Sequence, residues 1–219
     1  MTLIVTSEFE LNRIAAPALP VAPVTYEPQY QDQYSNTLRL YFNRLEALLN
    51  QLETKTSTAA LQAPYGAFSD FSSQTTTANT ATLLALNTTD FSNQVSLNTG
   101  SKITVVNPGI YNLQFSVQVQ NLANAPYDLF IWLKQNGTDI VGSTGKVGMP
   151  ARKNPGDPFH DIKGWNYFIS MNANDYVQIY WSVTDANITV ETYAASGTPT
   201  KPSTASVVAT LSFVSALPA

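Results

Sequence analysis

The chain has 219 residues and a net charge of −4, with charged residues at 12% and apolar residues at 44%. Roughly a quarter of an average domain is charged, so this surface is built from Ser, Thr, Asn and Gln. That excludes a disordered chain, which combines low hydrophobicity with high net charge. It also makes nucleic acid an unexpected partner, because no Lys/Arg run offers phosphates a basic face. Cysteine is absent, which removes disulfides, thiolate metal sites and cysteine nucleophiles.

The N-terminus, Met1 to Val5, has no basic segment and no apolar stretch of signal length, so no export signal of the usual kind is expected. Residues 2–9 read as a short strand or an unpaired arm, with Leu3, Ile4, Val5 and Phe9 as its apolar side chains. Pro17, Pro20, Pro23 and Pro28 follow. Prolines at this density cannot be helical, so 1–34 is expected to be an extended, polyproline-like tether. Ser35 or Asn36 can cap a helix running to about Thr54, within a helix-and-linker segment over 35–64. Leu38, Tyr41, Leu45, Leu48 and Leu52 step by 3, 4, 3 and 4, which is a heptad seam, and Phe42 and Leu49 widen it. The same pattern also fits one amphipathic helix folded back on its own domain.

From 65 to 219 the chain reads as β. Every glycine lies between Gly66 and Gly197. Tyr111, Leu113, Phe115, Val117 and Val119 alternate with Asn112, Gln114, Ser116, Gln118 and Gln120, the period of a half-buried strand. Further strands fit Ala67–Ser73, Ala81–Leu86, Ile103–Val106, Asp128–Gln135, Trp165–Met171, Tyr176–Val183, Ile188–Tyr193 and Ser206–Val214. Turn signals such as Asn107-Pro108-Gly109 and Asn136-Gly137 separate them. Many short strands at this spacing predict an all-β sandwich or barrel. The proline-rich stretch Gly148 to Gly164 is expected to be an exposed loop.

Catalytic constellations are missing. His160 is the only histidine and sits in that expected loop, without a Gly-x-Ser-x-Gly elbow anywhere. Asp157, His160 and Asp161 are therefore read as exposed loop residues available for ligand contact. Asp157 and Asp161 could bind calcium together with loop carbonyls, although no Asp/Asn ladder accompanies them. No phosphate loop, dinucleotide fingerprint or metal-ligand spacing occurs. No enzyme, metal or cofactor is expected, and the longest apolar run, Leu129–Leu133, is too short for membrane insertion. That run is apolar on both faces, whereas a two-layer sandwich buries one face per strand. The surplus predicts burial against another subunit. Phe68, Phe71, Tyr180, Tyr193 and Phe213, any one of which reads more readily as core, are together the candidate aromatic contacts in the head.

Several motifs occur in a shared order. Gly109-Ile110-Tyr111 opens a long alternating strand. Leu133-Lys134-Gln135-Asn136-Gly137 makes a hairpin. Asn172-Ala173-Asn174-Asp175-Tyr176-Val177 is a turn opening a strand, and Ser206–Val214 is a last core strand. Together they resemble the tumour-necrosis-factor-like jelly roll shared with complement globular heads, over about Gly66 to Val214. The strand-like Ile188–Tyr193 and the loop after it depart from that pattern. The resemblance implies an antiparallel jelly-roll sandwich and a homotrimer packed through aromatic side chains.

The segment Tyr34 to Leu45, lying before such a head, resembles structural proteins of tailed phages. This second resemblance implies a virion location. An N-terminal arm and helix would attach to other virion proteins of the capsid, neck or tail. The head would be exposed as a decoration or fibre, with a host-surface glycan as a further candidate partner. Release by lysis would also account for a head of extracellular type without an export signal. The alternative is a secreted lectin-like or ligand-binding head.

Overall fold

The computed structural model describes residues 16–217, and for 51–62 the backbone alone. The chain divides into two units, Met1–Gln62 and Ala63–Ala219.

In the first unit, residues 16–27 carry neither helix nor strand, as their prolines dictate. The helix α1 then runs over Pro28–Gln62, roughly 50 Å at 1.5 Å per residue. It starts seven residues before the expected cap, so the extended arm ends before 28 and not at 34. Pro28 causes this, because a proline in the first turn has no N–H to leave unpaired and its φ already suits a helix. Ser35 and Asn36 lie inside the helix, where the Arg39 guanidinium donates to Asn36 Oδ1 at 2.7 Å. The C-terminal end also passes Thr54, through the helix formers Ala59, Ala60 and Leu61.

The second unit, the head, opens with β1 (Tyr65–Asp70), β2 (Thr82–Leu83), β3 (Thr88–Asn93), β4 (Val95–Asn98) and β5 (Lys102–Val105). Its centre holds β6 (Gly109–Asn121), β7 (Tyr127–Gln135), β8 (Thr138–Asp139), β9 (Gly145–Met149) and β10 (Phe159–Met171). It closes with β11 (Tyr176–Val183), β12 (Ile188–Val190), β13 (Ser196–Gly197), β14 (Thr200–Lys201) and β15 (Val207–Ser215). The first sheet has the order β10-β6-β15-β1-β3, with β12 continuing the line of β15 against β6. The second has the order β4-β5-β11-β7, with β8 and β9 along β7 and β2 along β11. Every ladder between the named strands is antiparallel, so the head is all-β.

One core joins the two sheets. Tyr111, Leu113, Phe115, Val117 and Val119 of β6 point inward, as the alternation predicts. They share the core with Leu129, Ile131 and Leu133 of β7 and with Val177, Ile179, Trp181 and Val183 of β11. At one edge the Trp165 ring packs edge-on to Phe115 at 4.7 Å and lies against Gly145. A Cβ at Gly145 would stand 2.6 Å from that indole, so the contact requires glycine there.

Two turns lock onto each other. Asn136 and Gly137 both have positive φ, the geometry of a tight hairpin turn. Asp175 accepts from Asn136 Nδ2 at 2.7 Å, Gln135 Nε2 at 3.1 Å and Asn172 N at 2.7 Å. Burial opposes ionisation of Asp175, yet these donors hold its carboxyl below the usual carboxylate range.

Several expected boundaries differ. β10 begins at Phe159, so the open loop spans only 150–158, not 148–164. Asp161, Lys163 and Gly164 disguised the strand. An edge strand tolerates charge and glycine because one of its sides has no partner strand. Strand covers only Thr82–Leu83 within Ala81–Leu86 and only Ile188–Val190 within Ile188–Tyr193, where Tyr193 adds an isolated antiparallel bridge to Thr204. β3 and β4 were not anticipated, since their polar sequences alternate too weakly.

The buried Tyr111 donates to the Asn107 carbonyl at 2.8 Å, and burial pushes its phenol up to about 12. An unfolded tyrosine ionises near about pH 10. The unfolded chain therefore loses this proton first, and stability falls as pH climbs from about 10 toward about 12. Tyr111→Phe should cost about 1 kcal/mol at neutral pH and flatten the alkaline decline, as read from melting curves across that range. Gly164 makes a second prediction, because a Cβ there would meet the Phe115 carbonyl oxygen, which cannot move aside. Gly164→Ala should cost about 2 kcal/mol. Gly148→Ala, with nothing within 4 Å of the added methyl, should leave urea unfolding unchanged.

Candidate functional site

The outer face of the second sheet gathers the densest chemistry on the head. Leu129, Ile131 and Leu133 take the inner side of β7, so Phe130, Trp132 and Lys134 stand outward. Across the ladder Trp132 faces Tyr180, with ring centroids 6.0 Å apart. The indole is pinned, because its Nε1–H donates to Asp139 Oδ1 at 2.7 Å. Lys134 Nζ pairs with the same oxygen at 3.2 Å and sits 4.7 Å over the Tyr180 ring. These donors, Trp132 first and then Lys134, hold the Asp139 carboxyl below its usual range. Lys146 lies 5.7 Å over Phe130 and pairs with Asp128 at 2.9 Å. Lys102 lies 4.6 Å over Tyr176. Each ammonium is thus attracted to the negative face of a ring. The apolar surplus expected of Leu129–Leu133 is therefore real and lies on this face as Phe130 and Trp132.

The structure disperses the five aromatics read as one interface. Phe68 is fully buried in the head's own core, because its position on β1 points between the sheets; the expectation of an intersubunit contact there is corrected. Phe213 packs against that core, edge-on to Tyr111 at 5.6 Å. Tyr180 belongs to the second sheet and Phe71 is half exposed after β1. Tyr193 is 2.8 Å from His160 Nδ1. Large exposed side chains on the first sheet were missed, notably Ile162 and Phe168 of β10.

His160 and Asp161 are not loop residues but part of β10, and Asp157 alone lies in the short loop. His160 Nδ1 lies 2.7 Å from Oε1 of Glu191, whose side chain is 7% exposed. Burial, and after it the Glu191 carboxylate, pushes the Tyr193 phenol up, so it stays protonated. Among the described residues no Ser or Thr hydroxyl bonds to His160, and the contacts serve to hold a buried carboxylate. Asp161 is paired with Lys163. Among the described residues no three His, Cys, Asp or Glu converge as a metal site, and no helix is long and apolar enough to cross a membrane.

On α1, Leu38, Tyr41, Leu45 and Leu48 are half-buried while their neighbours around the helix, Thr37 apart, are exposed. Because the helix begins at Pro28, the seam extends backward to Tyr34, whose ring stacks on Tyr30 at 6.1 Å. The side chain of Leu52 and the arm residues Leu3, Ile4, Val5 and Phe9 lie outside the described residues. Comparison of the chain with protein-family models and with curated proteins finds no match.

Removing the histidine tests the structural role of the His160 contacts. His160→Ala strips a charge-assisted partner from a buried carboxylate and should cost about 2 kcal/mol. Asp157→Ala in the loop should stay within about 0.5 kcal/mol of the parent. Chemical denaturation of both variants provides the comparison.

Proposed function

We propose that the chain is a non-enzymatic structural protein of a tailed-phage virion. It acts as a homotrimer, attached to capsid, neck or tail through its N-terminal arm and helix, with a jelly-roll head exposed as a decoration or fibre-type appendage. The observation that carries this reading is α1. It is a helix of 35 residues with a heptad seam, in a unit separate from the head, and none of its described side chains is buried. A seam of this kind is satisfied by copies of itself. The resemblance of Tyr34 to Leu45 to phage structural proteins supports the location.

The tumour-necrosis-factor-like reading of the head draws support from its connectivity. The first and last strands, β1 and β15, are paired. The long strands β6, β7, β10, β11 and β15 alternate between the two sheets, as the crossovers of a jelly roll require. A secreted lectin-like or ligand-binding head is the second reading, favoured by the aromatic and lysine-bearing face of the second sheet.

Leu45→Asp separates the two. In a trimeric seam it brings three carboxylates together in an apolar line, where unpaired like charges are costly. Particle occupancy and the trimer mass in light scattering should both fall. The head's melting temperature should hold, because its core cluster is drawn from residues of the head alone. A head melt lowered by about ten degrees, with occupancy lost only in proportion to folding, would contradict the anchor reading.

A further inference from the structure

We propose that the outer face of the second sheet, centred on Trp132 and Tyr180 and rimmed by Lys102, Lys134 and Lys146, binds a carboxylated saccharide. This rests on the reading of the head as an exposed module. A pyranose ring presents a flat C–H face and a rim of hydroxyls. Its partner must offer an aromatic plane with fixed polar groups beside it. Trp132 and Tyr180 supply adjacent rings whose planes differ by 36°. The indole cannot rotate freely while its N–H is held by Asp139. Asp139 and Lys134 stand beside the rings as hydroxyl partners, already ordered by their own ion pair. Ordering groups before a ligand arrives lowers the entropic cost of binding.

The charge of the face selects an acidic sugar. Three ammonium groups stand there against two carboxylates, in a chain whose net charge is −4. Asp139 is committed to Lys134 and Asp128 to Lys146. Among the described residues Lys102 has no carboxylate partner, only the Tyr176 ring below it. It is the group left to receive a ligand carboxylate. A phosphate polymer fits worse, because Asp128 and Asp139 would repel successive phosphates. A second copy of the chain fits worse too, because burying these ion pairs against themselves would desolvate them without new partners.

Binding is measured with the full chain against oligogalacturonate, alginate oligosaccharide and sialyllactose. Neutral cello-oligosaccharide and dextran serve as controls, and oligo(dT) stands for nucleic acid. Saturable binding to a carboxylated probe is expected, weakening as sodium chloride rises from about 50 to about 500 mM. Lys102→Ala should weaken it about tenfold at unchanged melting temperature, and Trp132→Ala at least as much. Trp132→Phe keeps a ring while removing the N–H, and covers the case in which Trp132→Ala fails to fold. Absence of binding to all three carboxylated probes would overturn the proposal. So would equal binding of the neutral sugars, tighter binding of oligo(dT), or indifference to Lys102→Ala. Self-association abolished by the Trp132 variants would assign the face to a contact between copies and overturn it as well. Particle loading keeps the two readings distinguishable. Saccharide binding with no loading rejects the virion reading alone, and loading without saccharide binding rejects this site alone.

Discussion

The head is organised by the fixed register of β6. That strand is paired with β10 along its whole length, from Gly109↔Met171 to Asn121↔Phe159, and on its other side with β15 and β12. A slip of one residue would turn Tyr111, Leu113, Phe115, Val117 and Val119 outward and five polar side chains inward, so the alternation allows one register. The end of the strand is held as firmly as its middle. Asn121 is fully buried, and its Nδ2 donates to the carbonyls of Ala125 and Pro150 at 3.0 and 2.8 Å. This amide ties the exit of β6 to the start of the 150–158 loop.

With the inner faces committed to the core, the outer faces are free to differ, and they do. The outward row of β6 is amide and hydroxyl, from Asn112 to Gln120, without a charge. The outward row of β7 is aromatic and basic, and each of three lysines there or nearby rests on a ring. Neither face is needed to close the sandwich. Trp132 contributes nothing to the core, yet Asp139 holds its indole in place.

The period-two pattern made the all-β head legible, and with it β6 and its inner side; β7 and β11 were legible as strands, but Leu129–Leu133, apolar on both faces, did not show which side turns inward. Turn chemistry marked Asn136-Gly137 and the turn at Asp175, though nothing in the sequence indicated that the two meet. What stayed hidden has common causes. Edge strands such as β3 and the first half of β10 are not forced to alternate strictly, so their composition resembles loop. Phe130 and Trp132 registered as surplus apolarity, but the lysines placed over the rings come from β5, β7 and β9, and only the ladder register brings them to one face. Phe68 reads more readily as core than as contact, and it is core; one position in a short strand did not by itself exclude the contact. The His160 pairing with Glu191 joins residues 31 apart, and no local spacing encodes it.

The helix is bound by the opposite constraint. α1 has no acidic residue in its first turn and no basic residue in its last, so the macrodipole is not offset by side-chain charge. Its surface also exposes Leu40, Phe42 and Leu49 at 50%, 57% and 53%. Helices in proteins draw most of their stability from burying an apolar face. The head offers a complete core without it. On the proposed reading the seam from Tyr34 to Leu48 is closed by the same seam of other copies, while Phe42 and Leu49, beside it, widen the contact. Assembly would then stabilise the helix and the helix would hold the heads together. On that reading the aromatic face of the head would be present three times, and weak saccharide contacts would add as avidity.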